Sequence, residues 1–121
     1  MTKKKDVQNN ATLPKESVKR RKFVVAEVRG NPYFDVGESS SDDHQDIYGR
    51  LLKRTGVPFN IIFSANGEDY RALSMGLSDV NIEEREIKLY HMSGKYRIGV
   101  TREGIDAIKE ILPGWKVTGN I

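Results

Sequence analysis

Apolar residues in this chain fall into short clusters separated by turn-forming residues. Phe23-Val24-Val25-Ala26-Glu27-Val28 is rich in β-branched residues and stops at Gly30-Asn31-Pro32, which predicts a strand. Tyr33 and Phe34 begin a second short run to Val36, and the polar stretch 37–43 reads as a loop. Beyond it Ile47, Leu51 and Leu52 recur at helical spacing with Tyr48 at the margin, so a helix is expected over residues 43–55. Ser41 or Asp42 is the expected N-cap. Asp43 and Asp46 fall in the first turn, and Arg50, Lys53 and Arg54 lie near the end, each sign where the helix dipole favours it. Gly56 stands where a left-handed C-cap is wanted.

Phe59, Ile61 and Phe63 alternate with Asn60, Ile62 and Ser64, which predicts another strand, and Asn66-Gly67 is a hairpin turn signal. The return segment 68–77 fits two periods. Tyr70 and Ala72 alternate as in a strand, whereas Tyr70, Leu73 and Leu77 share a helical face; a strand over residues 69–73 is the preferred reading. Gly76, Ser78, Asp79 and Asn81 then read as a loop. Strands are expected over 86–92 and 95–100, joined at Ser93-Gly94. Thr101 caps a predicted helix over 102–112 with Ile105, Ile108, Ile111 and Leu112 as its buried stripe, and Pro113-Gly114 stops it. Trp115 and Val117 are expected to fold back onto the core. Sequential hairpins imply an α+β fold: an antiparallel sheet of about five strands with two helices on one face.

Charge divides the chain at Phe23. Residues 1–22 carry eight Lys or Arg against two Asp or Glu, a net of +6, while the remaining 99 carry twelve against fifteen, a net of −3. The expected organisation is a disordered basic arm, residues 1–22, ahead of a single α+β domain, residues 23–121. Leu13 and Val18 are isolated apolar positions in that arm. There is no Cys, which excludes disulfides, thiolate metal sites and cysteine nucleophiles. No apolar run approaches the roughly 20 residues of a membrane span. Lys3, Lys4 and Lys5 are followed by Gln8, Asn9 and Asn10 rather than an apolar stretch, so no secretory signal is expected. The expected location is intracellular: cytoplasm, nucleoid or nucleus.

A mobile run of cations is a general device for meeting polyanions. The candidate nucleic-acid contacts in the arm are Lys3, Lys4, Lys5, Lys15, Lys19, Arg20, Arg21 and Lys22. A hairpin over 86–100 would add Lys88, Tyr90, Lys95 and Arg97, placing an aromatic among cations on one ribbon. The acidic stretch 35–46 is a candidate to fold over the arm and compete for it.

Residues 96–111 (Tyr96-Arg97-Ile98-Gly99-Val100-Thr101, then Arg102 to Ile111) resemble two families. One is the wing exit of winged-helix regulators. The other is the last strand and helix of small single-strand-binding proteins of the positive-cofactor type, whose four strands followed by a helix fit residues 59–112 better. Glu86-Ile87-Lys88 resembles the Glu-x-Lys element of a metal-dependent nuclease superfamily, which implies Mg²⁺ held by Glu86 with Asp69 as upstream carboxylate and Lys88 polarising water. His44 lies among Asp42, Asp43 and Asp46 without the spacing of a calcium loop.

These features together lead us to expect a non-enzymatic nucleic-acid-binding protein in an accessory or regulatory role. DNA is expected over RNA, with weak sequence preference or single-strand preference, and no cofactor or metal is expected. The rival is a protein-interaction module anchored through Tyr33, Phe34 and Trp115. A second rival is the Mg²⁺-dependent nuclease.

Overall fold

Phe23, Val24, Val25 and Ala26 are all fully buried, because the strand they form has apolar layers on both sides. A strand covered twice needs a continuous apolar run rather than alternation, and this run supplies it. A computed structural model describes residues 10–57 and 65–121. In it, strands β1 (Ala11–Thr12), β2 (Val18–Val28) and β3 (Asn31–Val36) precede helix α1 (His44–Arg54). Strands β4 (Tyr70–Asn81), β5 (Glu86–Tyr90), β6 (Met92–Ser93) and β7 (Ile98–Gly99) follow, then helix α2 (Arg102–Ile111) and strand β8 (Lys116–Gly119).

Six strands form one sheet in the order β1-β3-β2-β4-β5-β8, and β6 and β7 form a separate two-stranded ladder. The fold is α+β as expected. The sheet is antiparallel through its centre, but the outer pairs β1·β3 and β5·β8 are parallel. The helices lie on opposite faces, which corrects the one-faced arrangement expected from the sequence. Val24, Ala26, Val28 and Met75 pack under Ile47, Leu51 and Leu52 of α1. Phe23, Val25, Leu73 and Val80 pack under Ile105, Ile108 and Ile111 of α2, with Val117 buried and Trp115 against them as expected.

The helix ends follow their sequence signals. The N-cap of α1 is Asp43, one residue beyond the expected pair, and it forms a capping box with Asp46. Gly56 has φ +82° just past the helix. Thr101 caps α2, its Oγ1 accepting from Gly104 N at 3.0 Å. Arg29 and Gly30, at φ 50° and 85°, make the two-residue turn between β2 and β3, the backbone shape that matches strand twist.

Three expectations need correction. Residues 18–22 continue β2 rather than belonging to a disordered arm, and Ala11 and Thr12 pair with Phe34 and Asp35. The isolated apolar positions Leu13 and Val18 are what hold this segment, packed against the α2-side core. Lys3, Lys4 and Lys5 lie outside the described residues, as does the expected strand over 59–64.

Second, β4 runs on through the expected loop to Asn81. Its buried Ser74 and Ser78 donate to the carbonyls of Gly99 (3.0 Å) and Arg21 (2.8 Å), so their polarity is satisfied inside the fold. The residue behind the expected turn, Asn66, bridges Arg71 instead, and the chain reverses over residues 67–70.

Third, no hairpin joins 86–92 to 95–100. The β5 strand pairs with β4 and β8, and His91 at φ 62° breaks the run. The β6–β7 ladder turns over residues 94–97, so the four-strand order before α2 includes two strands of only two residues each.

Candidate nucleic-acid interface

α1 covers only one half of its face of the sheet. Paired residues share a face, and the rows beyond α1 can be read from the register. Lys22, Leu77 and Tyr90 form one row; Asp79, Lys88 and Thr118 form the next; Asn81, Glu86 and Lys116 form the third. Lys19 and Arg20 bulge opposite Asp79 between the pairs Val18↔Val80 and Arg21↔Ser78. Lys19, Arg20, Lys88, Lys116 and Thr118 are exposed, and Lys22, Leu77 and Tyr90 are half-buried. The result is a platform four strands across, about 14 Å at ordinary strand spacing, that no element among the described residues covers.

Asp79 organises the middle of the platform. Its Oδ1 accepts the backbone N–H of Arg20 at 2.9 Å and the hydroxyl of Tyr90 at 2.6 Å. Burial pushes this carboxyl up, but the bonds from Tyr90 and Arg20 and the charges of Lys19 and Lys88 outweigh it and hold it below its ordinary value. Arg20 sits at φ 57°, a left-handed backbone that costs a non-glycine residue about 1 to 2 kcal/mol. The bond to Asp79 fixes that conformation.

Two hollows open onto this face and share Lys19. One, of about 470 Å³, lies among Ser17, Lys19, Asp79, Glu86 and Lys88 and so mixes both signs of charge. The other, of about 580 Å³, lies where the platform meets α1. It is lined by Lys19, Arg20 and Lys22, by Ser40 and His44, and by Leu77, His91 and Met92. His44 Nε2 lies 2.9 Å from the carbonyl of Gly76, which can only accept, so this nitrogen carries the proton. Burial pushes the His44 imidazolium pKa down; the Gly76 carbonyl opposes this and Lys22 adds to it.

The expected contacts therefore separate. Lys19, Arg20, Lys22, Lys88 and Tyr90 come together on the platform. Arg21 points to the other face and donates to the Gly37 carbonyl at 3.1 Å, so it holds the end of β3. Lys15 is exposed on the bend before β2. Lys95 donates to Gln45 Oε1 on α1, and Arg97 is exposed on the turn after β6, so neither shares a ribbon with Lys88. Lys116, Ser40, His44, His91 and Met92 were not singled out for this surface from the sequence. Only the strand register and the approach of α1 bring them there.

Among the described residues no carboxylate of the acidic stretch forms an ion pair with Lys19, Arg20 or Lys22, although its Ser40 and His44 border them. Asp35 pairs with Arg54 at 2.5 Å, Asp42 pairs with Arg50 at 2.8 Å, and Asp43 and Asp46 cap α1. Asp69 and Glu86 lie at opposite ends of β4, since Asp69 precedes Tyr70 while Glu86 pairs with Asn81; the nuclease constellation is not assembled. Among the described residues no group of three or more His, Asp or Glu is placed to hold a metal, and no helix is long and apolar enough to cross a membrane. Phe34 is fully buried and Tyr33 lies beneath Arg54, so neither is the free anchor the interaction-module reading required. No known family model matches this chain, and no curated protein matches its sequence.

Proposed function

We propose that the protein binds nucleic acid through the uncovered half of the sheet, as a non-enzymatic accessory or regulatory protein. The observation that carries this reading is convergence. Lys19, Arg20 and Lys22 near one end of the chain share a face with Lys88 and Tyr90, far along it. Cations around a partly exposed aromatic ring provide phosphate pairing and base stacking at once.

The surface suits a single strand better than a duplex groove. Neither helix is free to enter a major groove, because each packs its apolar stripe on the sheet, and the first turn of α1 is closed by Asp43 and Asp46. A platform that stacks bases and pairs phosphates has little means of reading sequence, so weak sequence preference follows. DNA is preferred to RNA in this reading.

Fluorescence anisotropy with single- and double-stranded DNA and RNA at two salt concentrations tests it. Single strands should bind most tightly, affinity should fall steeply with salt, and the triple variant Lys19→Ala/Lys22→Ala/Lys88→Ala should lose most of it. Unchanged binding by that variant, or strong discrimination among duplex sequences at physiological salt, would contradict the proposal.

A further inference from the structure

The larger hollow differs from the rest of the platform in its charge and in its shape. Among the described residues no Asp or Glu side chain lines it, whereas Asp79 and Glu86 interrupt the cations of the neighbouring hollow. Lys19, Arg20 and Lys22 form no ion pair within 4 Å among the described residues, while Arg29, Arg50, Arg54, Arg71 and Lys116 each have a carboxylate partner. Three unpaired cations are therefore directed at one volume.

The hollow is also walled on one side. The platform runs from β8 towards the row Lys22–Leu77–Tyr90, and there the N-terminal turn of α1 and Ser40 stand across it. The Gly37 amide donates to the Lys22 carbonyl at 2.8 Å and His44 bonds Gly76, which ties that wall to the sheet. On the opposite side, Met92 is 52% exposed and His91 presents its ring from a left-handed backbone, φ 62°. Two non-glycine residues in that costly conformation, Arg20 and His91, line the same hollow. Its volume lies within the range of small-ligand pockets and exceeds what a bare phosphate needs.

We infer that this hollow takes the phosphorylated terminal nucleotide of a strand lying on the platform. The inference rests on the nucleic-acid reading above and adds a strand end to it. An internal phosphodiester carries one negative charge, whereas a terminal phosphate monoester carries about −1.5 to −2 at neutral pH. A concentration of three cations without a carboxylate, at the place where the N-terminal turn of α1 walls the platform, matches the second. Lys19, Arg20 and Lys22 hold the phosphate, the Ser40 hydroxyl can donate to it, and Met92 with the His91 ring forms the wall against sugar or base.

Calorimetric titration with short oligothymidylates bearing a 5′-phosphate, a 3′-phosphate or hydroxyls at both ends tests the inference. One phosphorylated end should bind about tenfold more tightly than the hydroxyl-ended strand. Arg20→Gly should abolish that preference. Glycine adopts the same backbone without strain, so this variant should melt no lower than the parent. Lys88→Ala should weaken all three strands alike and keep the preference. Equal affinity for all three ends would overturn the strand-end pocket and leave nucleic-acid binding intact. Binding of thymidine monophosphate with no binding of any oligonucleotide would overturn both readings, as would binding of neither.

Discussion

The hydroxyl of Tyr90 donates to Oδ1 of Asp79 at 2.6 Å, and the same oxygen holds the Arg20 amide. One carboxylate thus sets the tyrosine ring and the bulge that turns cations onto the platform. Asp79→Asn keeps an acceptor there and removes the charge, so single-strand affinity should rise by about two- to fivefold at low salt. Tyr90→Phe should cost about 1 kcal/mol of stability in urea unfolding. Tyr90→Ala should weaken single-strand binding by a further 1 to 3 kcal/mol, roughly the worth of one stacked base, in anisotropy titrations.

Salt dependence separates the cations on the platform from those off it. Each phosphate contact removed should lower the slope of log affinity against log salt by about 0.7 for a single strand. Lys88→Ala should show that loss. Lys95→Ala and Arg97→Ala should leave the slope unchanged, because Lys95 bonds Gln45 and Arg97 lies on the turn. A larger loss at Lys95 than at Lys88 would refute the placement of the interface.

Stability should depend on pH through His44. Its folded pKa lies below the ordinary 6.5, mainly because of burial. Between the folded value and about 6.5 the unfolded chain binds a proton that the folded chain does not. The contribution is therefore complete above about pH 6.5 and is lost as pH falls. Urea midpoints measured from about pH 8 down to about pH 5 should decline, and His44→Gln should flatten the decline while retaining a donor for Gly76. The Asp35 carboxyl is shifted upward by burial against the pull of Arg54 and acts with the opposite sign, so the difference between the parent and His44→Gln is what isolates the histidine.

A side chain at Gly76 should be costly. Its Cβ would lie 2.4 Å from the Tyr90 carbonyl oxygen and 2.9 Å from that of His91, both backbone atoms, and φ there is +155°. Gly76→Ala should destabilise by about 2 to 3 kcal/mol in urea unfolding. Because the close approach also sets the backbone that turns His91 into the hollow, the variant should lose end-phosphate preference even where it remains folded.

Local chemistry was legible in the sequence, and pairing across distance was not. The α1 helix, its dipole-matched charges and Gly56 follow from residues within a few positions of one another, as do the Arg29-Gly30 turn region and the Thr101 cap. The second half of β4 was hidden because Gly76, Ser78 and Asp79 look like a loop. Their strand identity depends on a close backbone approach at Gly76, on the Arg21 carbonyl that accepts from Ser78, and on the Tyr90 hydroxyl and Arg20 amide that donate to Asp79, all of which only the folded sheet supplies. Residues 18–22 read as a solvated arm because charge dominates their composition. Their pairing with Leu77, Ser78 and Val80 has no local signature. Of the nine expected contacts among the described residues, five reach one surface, since Arg21 alternates to the wrong face and His91 ends the ribbon before Lys95.

Deleting residues 1–22 should therefore not yield an intact body lacking a tail. It removes the pairs at Val18, Arg21 and Lys22 and the packing of Ala11 and Leu13. Circular dichroism should show a melting temperature lowered by at least about 10 °C, or no cooperative melt. A truncated chain that melts like the parent would contradict the strand assignment.

The parallel pairing of β5 with β8 also puts one bank of the platform on an edge strand. The β2 strand is paired on both sides, by β3 and β4, whereas β8 follows the β6–β7 ladder and α2 and is paired on one side by β5. Lys116 N–H reaches the Arg85 carbonyl and Asn120 N–H reaches that of Leu89, so the rim bearing Lys116 and Thr118 hangs on the bonds of a single ladder. In native-state hydrogen exchange those amides should open at lower free energy than the amides of β2. Opening of β8 alone would remove one bank of the platform, so affinity for a strand depends on how well that edge stays closed.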